Sequence, residues 1–127
     1  MAETPEKKVK KKVRALLDAL GAYYVMPVTG GYGTQGAPDF LVCHRGKFVG
    51  IETKAGKGKP TKLQELNIKN IREAGGVAFV VREPSPQPTD PMSGDIGMLN
   101  QILYRIEQKE ELDEQFIRDF MYREIGE

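Results

Sequence analysis

The 127-residue chain reads as an α/β fold, a mixed four-stranded sheet in the order αβββαβ with further helices at the C-terminal end. Three observations predict it. A helical apolar repeat opens the chain, two apolar runs flank a tight turn at Arg45-Gly46, and a second helical repeat separates that pair from one more apolar run. The turn makes its two strands antiparallel, and the strand–helix–strand step over 47–82 makes the last pair parallel.

Val9, Val13, Leu16, Leu17 and Leu20 recur at helical spacing and Gly21 stops the run, which predicts a helix over 5–20. Its outer face carries Lys7, Lys8, Lys10, Lys11, Lys12 and Arg14, while Glu6 falls on the buried stripe. Residues 22–28 read as a strand, and 29–36, with four glycines, as a loop. Strands are predicted over 38–43 and 47–54. A short basic loop at 55–60 follows, then a helix over 61–74 ended by Gly75-Gly76, and an apolar strand over 77–82. Four prolines in 83–91 exclude regular structure there. Helical spacing returns over 95–106 and 111–124. The chain thus divides into a core at 1–82, a tether at 83–94 and a helical extension at 95–127, one domain overall.

No apolar run approaches the ~18 residues of a membrane span, and the Lys-rich start lacks the apolar stretch of a signal peptide. A cytoplasmic protein is expected. One cysteine and one histidine cannot build a Cys/His zinc site. Cys43 reads as a small buried strand residue, and His44 as a hairpin-turn residue without chemistry. The net charge of +1 conceals a division: residues 1–62 carry 12 basic and 5 acidic side chains, and 63–127 carry 7 and 13. A polyanion would be drawn to the first half.

The chemistry concentrates in the hairpin. Centring the turn on Arg45-Gly46 sets Cys43 opposite Phe48, Leu41 opposite Gly50 and Asp39 opposite Glu52. Directly opposed residues have Cβ atoms roughly 4.5–5.5 Å apart, and like charges so placed destabilise a sheet. A divalent cation is the simplest reason to keep two carboxylates there. Strand alternation puts Lys54 on the face of Glu52. The set suits Mg²⁺, which prefers oxygen ligands and shares them with phosphate. The Thr53 carbonyl offers a further ligand, and Lys54 a charge for the attacking water or the phosphate. Lys57, Lys59 and Lys62 lie just beyond, placed for nucleic-acid phosphates. Glu6 reads either as a first-turn acid favoured by the helix dipole or as a third site carboxylate, with Glu3 a weaker candidate. Gln64 reads either as the N3 residue of a Thr61 capping box or as a helper for the metal-bound water.

Pro38-Asp39 followed by Glu52-Thr53-Lys54, within the order αβββαβ, resembles the PD-(D/E)XK, or restriction-endonuclease-like, nucleases. Gly36-Ala37-Pro38-Asp39, Ile51-Glu52-Thr53-Lys54 and Gln64 look most like the VRR-NUC group, whose members include short phage and bacterial proteins; the resemblance covers about residues 5–82. It implies a Mg²⁺- or Mn²⁺-dependent DNA nuclease, structure-selective and homodimeric. Asp39, Glu52, Thr53 and Glu6 would hold metal, Lys54 and Gln64 would serve catalysis, and Lys8, Lys11, Lys12, Lys57, Lys59 and Lys62 would grip branched or flapped DNA. A Holliday-junction resolvase, a restriction-like endonuclease and a non-catalytic nucleic-acid-binding module are the alternatives. Unlike many members of this group, the chain has no basic residue in the glycine loop before the Pro-Asp.

Overall fold

The structure, a computed structural model, describes residues 3–28, 35–83 and 94–110. Its elements are α1 (Pro5–Ala19), β1 (Tyr23–Val25), β2 (Phe40–His44), β3 (Lys47–Ala55), α2 (Lys62–Glu73), β4 (Val77–Glu83) and α3 (Asp95–Glu107). The sheet has the order β1-β2-β3-β4. β1, β2 and β3 are antiparallel neighbours, and β4 runs parallel to β3. This is the predicted αβββαβ arrangement with a mixed four-stranded sheet.

The hairpin register follows from its turn. Arg45 (φ 52°) and Gly46 (φ 85°) both have left-handed backbone, as the two-residue turn that matches strand twist demands. Leu41 then pairs with Gly50 and Cys43 with Phe48, and the ladder ends at Phe40 opposite Ile51. Asp39, expected within a strand over 38–43, lies one residue before β2 and meets β3 through Thr53.

Alternation along the strands separates two apolar layers. Val42, Val49, Ile51, Val77, Phe79 and Val81 meet Val9, Val13 and Leu17 of α1 and Leu99, Ile102, Leu103 and Ile106 of α3 in one core. On the other face, Ile68 and Ile71 of α2 pack with Ala78 and Val80. The last described helix therefore closes the same core as the first. Pro5 opens α1 behind the Thr4 cap, whose side chain accepts from the Lys7 N–H.

Several expectations shift. The first strand is shorter than 22–28, and Glu83 ends β4 instead of opening the tether. Cys43 is exposed, not buried. It shares a sheet face with Phe48 and Tyr23, both of which are also exposed. His44 is not in the turn: it is the last residue of β2, 1% exposed, with Nε2 2.9 Å from Oε1 of Glu107. That contact ties the hairpin end to the end of α3. The glycine loop at 29–34, most of the tether (84–93) and the helix expected at 111–124 lie outside the described residues.

Leu103 is fully buried, so Leu103→Ala should lower stability by about 2–5 kcal/mol through lost burial and a residual cavity. Urea unfolding checks this; a loss below about 0.5 kcal/mol would show that α3 does not close the core.

Candidate active site

Asp39 sits between buried Pro38 and the first residue of β2. Gly36 permits this approach to α2. Its φ is +78°, and a Cβ there would lie 2.7 Å from Leu63 Cγ and 2.9 Å from the Leu63 backbone. Asn67 fastens the same stretch, its side-chain amide donating to the Gln35 carbonyl at 3.0 Å. Asp39 is then fixed across the hairpin: its Oδ2 accepts from the Thr53 N–H at 2.9 Å and from the Thr53 hydroxyl at 2.6 Å. Its Oδ1 lies 3.7 Å from Nζ of Lys10.

Glu52 lies opposite Val80 of β4 and is 1% exposed. Burial is the first cause that raises its pKa, to about 8 from an ordinary 4.5; the neighbouring Asp39 charge adds to it, Lys54 opposes it, and Glu6 contributes a smaller repulsion. Its Oε1 is buried without a hydrogen-bond partner. A carboxylate in that position is costly unless something positive meets it.

Lys54, two residues further along β3, lies opposite Arg82. Its stem passes beneath Gly58, whose carbonyl accepts from Arg82 Nε at 2.8 Å. The Arg82 N–H donates to the buried Asp95 carboxylate at 2.8 Å, so α3 reaches the carboxylate end of the sheet through Arg82.

The structure thus brings Asp39, Glu52, Thr53 and Lys54 together, with Glu6 of α1 facing them. Glu6 does not complete a cage, since among the described residues no three His, Cys, Asp or Glu side chains gather as a metal cluster. Gln64 is occupied elsewhere: the capping box is complete, with Gln64 Oε1 accepting from the Thr61 N–H at 2.8 Å and the Gln64 N–H donating to Thr61 Oγ1 at 3.1 Å. Glu3 pairs with Lys11, away from the carboxylates. Lys57, Lys59 and Lys62 are exposed on the segment after β3, and Lys8, Lys11 and Lys12 on α1, where Lys12 pairs with Glu83 at 3.0 Å.

Lys10 is the residue that sequence reasoning misplaced. It does not belong to the outer basic face; it reaches Asp39. The signal was its spacing, four residues after Glu6, which puts both on one side of the helix.

The folded chain holds a proton on Glu52 that the unfolded chain releases between about pH 4.5 and 8. Stability of the metal-free protein should therefore fall as pH rises across that range, at about 1.4 kcal/mol per unit at most. Glu52→Gln should flatten the decline and make the variant the more stable protein at pH 9. Urea midpoints in EDTA from pH 5 to 9 test this, and parallel profiles for the two proteins would contradict it.

No family model matches this sequence, and no curated protein matches it. Among solved structures, the fold aligns with a chain described as "VRR_NUC domain", with a TM-score of 0.56 and 28% identity, covering 83% of this chain and 97% of that one. It also aligns with a "VRR_NUC domain protein", with a TM-score of 0.52 over 89% and 96% of the two chains; at 16% identity, that likeness is one of fold.

Proposed function

From a chain with the VRR-NUC fold of the PD-(D/E)XK nucleases, we propose a DNA nuclease that hydrolyses phosphodiester bonds with a divalent cation, Mg²⁺ or Mn²⁺. One observation carries the reading: a buried, unpartnered carboxylate oxygen of Glu52 beside a second carboxylate, next to a lysine on the same strand. This donor set fits a hard divalent ion. Both acids offer oxygen, neither has a full complement of protein cations, and the repulsion that raises the Glu52 pKa is what an ion between them relieves.

Asp39 and Glu52 would hold the ion, with the Thr53 carbonyl as a further candidate ligand and Glu6 acting from α1 by charge. A bound ion supplies Lewis-acid polarisation of the phosphate and a more acidic water. The remaining tasks fall to this chain's own side chains. Thr53 locks the Asp39 carboxylate through two hydrogen bonds, so little reorganisation remains when substrate arrives. Lys54 places its ammonium beside the pair, where it neutralises charge developing on the phosphoryl oxygens and orients the attacking water. Lys57, Lys59 and Lys62, with Lys8, Lys11 and Lys12 on α1, bind phosphates either side of the scissile bond. Gln64 acts through the helix start it caps.

The substrate proposed is branched or flapped DNA, cut by a homodimer whose two sites address two strands. Among the described residues, no helix is long and apolar enough to cross a membrane.

Glu52→Gln should lower Mg²⁺-dependent cleavage by at least about 10²-fold and leave DNA binding in Ca²⁺ within about twofold. A gel assay on linear, flapped, forked and four-way DNA, paired with a filter-binding measurement, tests both halves. Cleavage at the wild-type rate would remove Glu52 from the mechanism. Absence of turnover by the wild type on every substrate, with binding intact, would favour a non-catalytic DNA-binding module.

A further inference from the structure

We propose that Lys10 is a built-in counter-cation for Asp39, and that it sets the affinity with which the carboxylate pair takes a divalent ion. The inference rests on the metal-dependent reading above and adds a positioning residue to it.

Lys10 differs from the other lysines of α1. Lys7, Lys8, Lys11 and Lys12 are exposed, whereas Lys10 is half-buried. It stands one turn after Glu6 on the side of the helix that carries Val9 and Val13 into the core. Its Nζ lies 3.7 Å from Asp39 Oδ1, with the Lys10 side chain 35% exposed and that of Asp39 21%. The two oxygens of Asp39 are used differently. Oδ2 takes both Thr53 donors, so Oδ1, on the Lys10 side, is the oxygen left for a cation.

An ammonium in this place has two effects on the pair. Without an ion, it compensates the Asp39 charge. In the presence of an ion, it is a like charge a few ångströms from the incoming one, and it opposes binding. Lys54 cannot take this role, because it lies beyond Glu52 on β3 and is among the charges that act on Glu52. A divalent ion held among Glu6, Asp39, Glu52, Lys10 and Lys54 would leave the site net positive and prepared for an anionic phosphodiester.

The test is Mn²⁺ affinity, measured on the full chain at pH 7.5 by the electron paramagnetic resonance signal of free Mn²⁺. Lys10→Met should bind Mn²⁺ about tenfold more tightly than the wild type, after allowance for screening at a partly exposed position. Lys10→Arg, which keeps the charge, should retain wild-type affinity. Lys109→Met makes the same change in net charge near the His44–Glu107 contact, at the other end of the hairpin, and should shift affinity by less than about twofold. A purely structural role for Lys10 predicts no gain in affinity. Equal or weaker Mn²⁺ binding by Lys10→Met, with normal binding by the wild type, overturns this inference alone. A wild type that binds no Mn²⁺ overturns the metal-dependent reading and this inference with it.

Discussion

Two carboxylates face each other at the end of a β ladder, one of them out of water, and no protein cation fully satisfies both. Asp39 and Glu52 cannot both carry full charge cheaply, since burial and mutual repulsion lift the Glu52 pKa to about 8. The rest of the site is arranged around that conflict. Thr53 pins one acid with two hydrogen bonds, and α1 presents an acid and a base one turn apart. Lys54 comes from the same strand as Glu52. Breaking the pair would relax the protein; keeping it leaves a place where a divalent cation is worth more than it would be on an ordinary surface.

The fold makes this placement possible because β3 changes character along its length. Val49 and Ile51 are buried in the core that α1 and α3 cover. Further along, Glu52 is buried opposite Val80, which α2 covers, and Lys54 lies opposite Arg82. β3 is also the strand at which pairing switches from antiparallel to parallel. α3 contributes twice, by filling the core with Leu99, Ile102 and Leu103, and by holding the Arg82 N–H with Asp95. The end of the sheet that carries Asp39 and Glu52 thus depends on a helix that lies beyond residue 94.

Much of this is legible in the chain because local rules determine it. A two-residue turn with Gly at its second position fixes the register, and that register carries Asp39 to the Glu52–Thr53 end of β3. Thr61 and Gln64 announce the helix start that the structure builds. What escapes sequence reading is longer in range or subtler in angle. His44 looks like a turn residue until its partner, Glu107, arrives from 63 residues away. Cys43 looks buried because its neighbours are apolar, yet α2 packs on β3 and β4 and leaves that part of the sheet face open. Lys10 disappears into a run of lysines, although its spacing from Glu6 sets it apart.

Under the metal-dependent function proposed, the carboxylate pair holds a proton when metal-free and would surrender it to a divalent ion. Calorimetric titration of Mn²⁺ into the protein at pH 7, repeated in buffers of different ionisation enthalpy, counts that proton. With Glu52 titrating near pH 8, close to one proton should leave for each ion bound. Binding of the ion with no proton released would contradict the account.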